Sequence, residues 1–110
     1  MNRMQMSGAA AGLLRALLGR VGEERDRILL MECTSVDWQS LTFIGERHRY
    51  AFRIVGPDAE QLATRFSARL GEEDFRIRGQ VVADIAAEDT PESGPDGSIL
   101  VRIEALTITE

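Results

Sequence analysis

Apolar residues in the first third of the chain fall at Leu13, Leu14, Leu17, Leu18 and Val21, with Arg15 and Arg20 off that series. Steps of one, three and four put a single apolar stripe on a helix. Ser7 is placed to cap its first turn and Gly22 to end it in a left-handed conformation. Residues 1–6, outside the stripe, are expected to be disordered. A second helix is predicted from Gly56-Pro57-Asp58-Ala59-Glu60, because proline suits the first helical position and acids suit the exposed amides there. Leu62, Phe66 and Leu70 carry its stripe beside Ala63, and Gly71 is the expected stop.

Elsewhere the period is two. Ile28 to Met31 is apolar on both faces, Trp38 to Ile44 reads as a strand, Gly45-Glu46-Arg47 as a turn, and His48 to Val55 as the return strand. The pattern leaves open whether 28–35 and 38–44 are one strand or two. From Phe75, the residues Ile77, Gly79, Val81, Ala83 and Ile85 share one parity against Arg76, Arg78, Gln80 and Asp84, as in a half-buried strand. Thr90 to Gly97 is a polar loop rich in turn formers. In the last strand Ile99, Val101 and Ile103 alternate with Leu100, Arg102 and Glu104, and the phase slips near Ala105, where a bulge is expected.

The two helix ends resemble each other. At an offset of 49 residues, Arg20, Gly22, Glu23, Glu24, Arg27 and Ile28 recur as Arg69, Gly71, Glu72, Glu73, Arg76 and Ile77. Leu13 and Leu17 then align with Leu62 and Phe66 on the two stripes. Helix, strand, strand, written twice over 7–55 and 56–110, suggests internal duplication. The fold expected is one α+β domain over residues 1–110: a two-layer sandwich in which a four-stranded, mainly antiparallel sheet carries two helices on one face. Its order, α-β-β-α-β-β, is a permutation of the ferredoxin-like arrangement.

Composition narrows the class. The 110 residues suffice for one core, and 44% hydrophobic with 28% charged residues is the balance of a folded domain. A net charge of −5 opposes non-specific affinity for nucleic acid or an anionic membrane. The acids cluster in 22–26, 71–74 and 87–96, which read as solvated loops. Cys33 is the single cysteine, so no internal disulfide forms, and a reducing, cytoplasmic setting is expected. The N-terminal apolar run is interrupted by Arg15 and preceded by its small residues, the reverse of a cleavable leader, and is too short to span a membrane.

Candidate chemistry centres on 45–56, which holds the only histidine. His48, Tyr50, Phe52 and Ile54 share the parity expected to face the helices, and Arg49, Ala51, Arg53 and Val55 the other. His48 is expected at the rim of the core in a structural role, and with no second histidine a metal site is not expected. The outward face is expected to collect Arg49, Arg53, Arg76, Arg78 and Arg102 among Asp84 and Glu104. Guanidinium groups fit carboxylate and phosphate, so these five arginines and His48 are the candidate ligand-binding residues. No cofactor is implied. An RNA-reading sheet needs aromatic platforms on its open face, whereas Phe43, Tyr50, Phe52 and Phe75 are expected inside and Trp38 is unplaced.

Phosphate loops, dinucleotide fingerprints, nucleophile elbows and His-Glu-x-x-His are absent from the sequence. Glu23/Glu24 and Glu72/Glu73 read as solvated pairs, and no catalytic residue is assigned. The function expected is therefore a non-enzymatic interaction domain that forms a homodimer through its open sheet face, with outward arginines meeting the acids of 87–96 across the interface. The alternatives are a small-molecule (anionic ligand) binding protein or enzyme with a pocket near His48, Tyr50 and Trp38, and an adaptor that offers its last strand as an edge to a protein partner.

Overall fold

The computed structural model describes residues 5–88 and 91–110. The disorder expected for residues 1–6 and the polar loop expected from Thr90 thus fall partly on residues outside that range. Helix α1 spans Gly8–Gly19 and opens as the sequence predicts, with the Ala10 amide donating to Ser7 Oγ at 3.1 Å. A 3₁₀ turn over Gly22–Arg27 leads into β1 (Ile28–Gln39) and β2 (Ile44–Ile54). Helix α2 (Ala59–Ser67) and a second 3₁₀ turn (Leu70–Glu72) precede β3 (Gln80–Ala87), β4 (Glu92–Ser93) and β5 (Ile99–Thr109).

Among the described residues the chain is α+β with a five-stranded antiparallel sheet, ordered β1-β2-β5-β3, in which β4 pairs β5. Leu13 and Leu17 of α1, Leu62, Ala63 and Phe66 of α2, and Tyr50, Phe52, Ile54, Val101 and Ile103 of the central strands form one buried cluster. Phe52 lies 4.9 Å from Phe66, edge to face, and stacks on Tyr50 at 5.8 Å. The Tyr50 hydroxyl donates to the Ala10 carbonyl at 2.7 Å and pins α1 to β2. Arg20 joins the helix ends: its guanidinium donates to the Phe66 and Ala68 carbonyls and meets Glu73 at 2.9 Å.

Several expectations are corrected. The strand expected over 38–44 does not form: residues 28–39 make one strand, with a register shift between Leu30 and Glu32, which answers the question left open for 28–44. The hairpin turn is Ser40–Phe43, not 45–47, because Ser40 Oγ accepts from the Phe43 amide at 3.0 Å and Ser40 N donates to Phe43 O at 2.8 Å. Phe43 is accordingly exposed, not inside. Asp58 takes the left-handed conformation (φ 57°), so α2 begins after Pro57, and Arg69 (φ 54°), not Gly71, makes the left-handed stop. Gly79 (φ 75°) turns the chain back through an Ile77–Gln80 bridge, so β3 starts at Gln80, not Phe75. The bulge lies in β3, between Val82 and Asp84, while β5 pairs β2 without a break. That bulge swaps parity, so Val82 packs against the core and Val81 is exposed. The last strand is not an edge: β5 is paired on both sides. Glu92–Ser93 adds a fifth strand within the segment read as loop.

Candidate functional site

The side of the sheet that joins the core carries a polar row at its far end. His48 is 0% exposed; its Nδ1 lies 2.7 Å from Ser35 Oγ and its Nε2 2.8 Å from Thr107 Oγ1. One ring nitrogen of a neutral imidazole donates and the other accepts, and a hydroxyl can serve either. Burial pushes the His48 pKa down, against a smaller upward pull from the Glu46 carboxylate. Burial likewise raises the Cys33 thiol and, more strongly, the Tyr50 phenol. With both nitrogens engaged and no solvent contact, His48 is a bridge across β1, β2 and β5. It has no free lone pair for a ligand.

Trp38 pairs with Gly45 on the opposite side of the sheet from His48 and Tyr50, so the three residues expected to share a pocket do not. The candidate arginines also separate. Arg49, Arg53 and Arg102 stand on the open side of β2 and β5, whereas Arg76 and Arg78 lie ahead of β3 and off the sheet. The outward arginines already have partners within the chain: Arg49 meets Glu104 at 2.7 Å, Arg102 meets Glu92 at 2.8 Å and Glu88 at 3.7 Å, and Arg53 meets Asp96. The acids of the 87–96 segment are thus spent inside the chain, where pairing across an interface was expected. Ser98, through its hydroxyl and amide, and Arg53 hold the Asp96 carboxyl down to about 2.

Register divides the open face in two. Its near half is the charged ladder just described. The far half crosses the strands as Trp38–Gly45–Ile108–Val81 and Val36–Arg47–Leu106–Asp84. Leu106 is 8% exposed yet stands outside the core cluster. Val36 is 61% exposed and Val81 47%. Gly45 lets β2 and β5 approach closely, since a Cβ there would collide with the Thr107 carbonyl oxygen. Sequence reasoning missed this patch. Its signal was the apolar parity of Leu106 and Ile108, which was read as a phase slip and is in fact a second apolar face on β5.

A separate cleft of about 610 Å³ runs between α2, the 3₁₀ turn after it, β3 and β4, lined among others by Glu60, Thr64, Arg69, Ile85 and Glu88. Arg69 there is exposed and paired with Glu72. Among the described residues no group of three histidines, cysteines or carboxylates is arranged to hold a metal ion, and no helix is long and apolar enough to cross a membrane. Compared with known proteins, the chain matches no family model, no curated protein and no solved structure.

Proposed function

We propose that the chain is an interaction domain that forms a homodimer through the open face of its sheet. The observation that carries this is the far half of that face, where Trp38, Ile108 and Val81 in one row and Val36 and Leu106 in the next share the open side, with Val36 61% and Val81 47% exposed. Exposed apolar side chains grouped on one face mark association sites, and antiparallel sheets with one open face meet by pairing. Four strands about 4.8 Å apart and about 3.4 Å per residue over the eleven residues of β5 give a face of roughly 700 Å². That approaches the roughly 800 Å² per partner of a standard interface, so the dimer is of moderate affinity and depends on concentration.

The same reading takes the fold as a two-layer, permuted ferredoxin-like arrangement that arose by duplication. In support, the order β1-β2-β5-β3 is symmetric about the β2/β5 boundary, each half placing a helix and two long strands in it, to which the second half adds the short β4. Buried Leu17 and Val21 also recur at the offset positions Phe66 and Leu70. A reducing cytoplasmic setting fits the single thiol, which burial keeps protonated.

Sedimentation equilibrium over a range of chain concentrations tests the reading. A monomer–dimer equilibrium that salt weakens without abolishing is expected, because the apolar rows are insensitive to screening. A chain that stays monomeric at the highest concentration would sink it.

A further inference from the structure

Arg47 on β2 and Asp84 on β3 flank Leu106 of β5 in one row, each directly in register with it. Both are exposed, and among the described residues neither has an ion-pair partner, unlike Arg49, Arg53 and Arg102 beside them. The row therefore reads plus, apolar, minus at equal spacing, on the one part of the open face that is otherwise apolar.

Symmetry makes that order selective. In an isologous dimer each contact occurs twice, and the two sheets face each other across the axis. An axis across the strands at this row sets Arg47 on its own copy and Asp84 on its own copy. An axis along β2 again stacks Arg47 on Arg47. Placed between β2 and β5, it sets Arg47 over Leu106 and Asp84 over Val36, burying four charges unpaired, which is strongly unfavourable. An axis running along β5 sets Arg47 of each chain against Asp84 of the other and Leu106 against its own copy.

We propose, resting on the homodimer reading above, that two copies of this chain pair face to face about a twofold axis along β5, with reciprocal Arg47–Asp84 ion pairs on either side of Leu106. The partner is a second copy because the surface is complementary to itself under one rotation. The axis also sets Glu104 and Arg102 against their own copies, and each is neutralised in its own chain, by Arg49 at 2.7 Å and Glu92 at 2.8 Å. β1 falls outside the overlap, so Trp38 and Val36 stand at the rim and three of the four strands, roughly 540 Å² of the face, are covered, which keeps the dimer weak.

The test is a charge-swap cycle on the full chain: Arg47→Asp, Asp84→Arg, and both together, with melting temperatures to show that each variant is folded. Dimer dissociation constants come from sedimentation equilibrium. Each single reversal creates two like-charge contacts and is expected to weaken the dimer at least about tenfold, while the double variant recovers most of the loss. If the unaltered chain is a monomer, the homodimer reading fails and this inference with it. If it is a dimer that both single reversals leave unchanged, the homodimer reading stands and the axis along β5 is wrong. A dimer weakened by the singles but not recovered in the double variant also overturns the Arg47–Asp84 pairing.

Discussion

Removing the His48 bridge tests the account of the polar row directly. In His48→Leu, Ser35 and Thr107 lose their partners at 2.7 and 2.8 Å. Thr107 is 0% exposed and cannot recruit water without rearrangement, whereas Ser35 is only half-buried. An orphaned buried polar group costs about 1–3 kcal/mol, so the variant should lose about 2–4 kcal/mol, the Thr107 side contributing more. His48→Gln, which can restore one of the two bonds, should recover about half. The pH dependence is the sharper readout. An unfolded imidazole titrates near 6.5 and burial lowers the native value. Between those two values the unfolded chain binds a proton that the native chain does not, so stability rises with pH. It is fully present above about 6.5 and falls as the pH descends toward the native pKa, with a slope of at most about 1.4 kcal/mol per pH unit. Cys33 and Tyr50 stay neutral through this window, because burial raises both. Asp96, held at about 2, contributes its own loss only in strong acid. Urea unfolding followed by the fluorescence of the single tryptophan, at fixed chain concentration from pH 7.5 to 5, measures the slope. A flat or inverted slope in the parent, or the same slope in His48→Leu, would refute a buried neutral bridge.

Two further outcomes follow from single contacts. Arg20→Leu should cost about 2–4 kcal/mol by urea unfolding, because its guanidinium, with a side chain 12% exposed, satisfies the Phe66 and Ala68 carbonyls, and Arg20→Lys should restore only part for lack of the fork. Gly45→Ala should cost about 1–3 kcal/mol, because its Cβ would meet the Thr107 carbonyl on a backbone already paired at both sides, and faster amide exchange at the far end of β2 and β5 would report it.

The helices were legible because their apolar stripes and the Ser7 cap are local signals, written in neighbouring residues. Their ends were less so. Gly71 carried the usual helix-stop signal, but Arg69 adopts the left-handed stop, with Arg20 satisfying the α2 carbonyls beside it from a residue 49 positions earlier. No local rule sees that contact. Strand parity was legible in β2, where one face is uniformly core, and misleading in β3, where the bulge at Val82/Asp84 inverts it. The outward arginines could be listed from parity, yet whether they were free depended on where the 91–98 segment folds back, which only the Arg53–Asp96 and Arg102–Glu92 contacts reveal.

The two halves of the chain bear different loads, and this indicates where the chain is constrained. Arg20 and Arg27 are each built in: Arg27 donates to the Val55 carbonyl at 2.9 Å and packs over Gly56, where a Cβ would lie 2.8 Å from its Nε. Their counterparts Arg69 and Arg76 pair only with neighbouring acids in the open. If the halves arose by duplication, the first kept Arg20 as a brace to the end of α2 and Arg27 as a brace to the 55–57 segment, and the second was relieved of that role. The apolar positions did not diverge in the same way, since Leu17 and Phe66, like Val21 and Leu70, remain buried. Burial of apolar area is non-directional and tolerates exchange of one side chain for another of similar size, whereas a guanidinium fork serves only where carbonyls are set to receive it. The freedom of the second half lies in its polar contacts, and Asp84 at the β3 bulge is where that half offers the open face a charge that no described residue pairs.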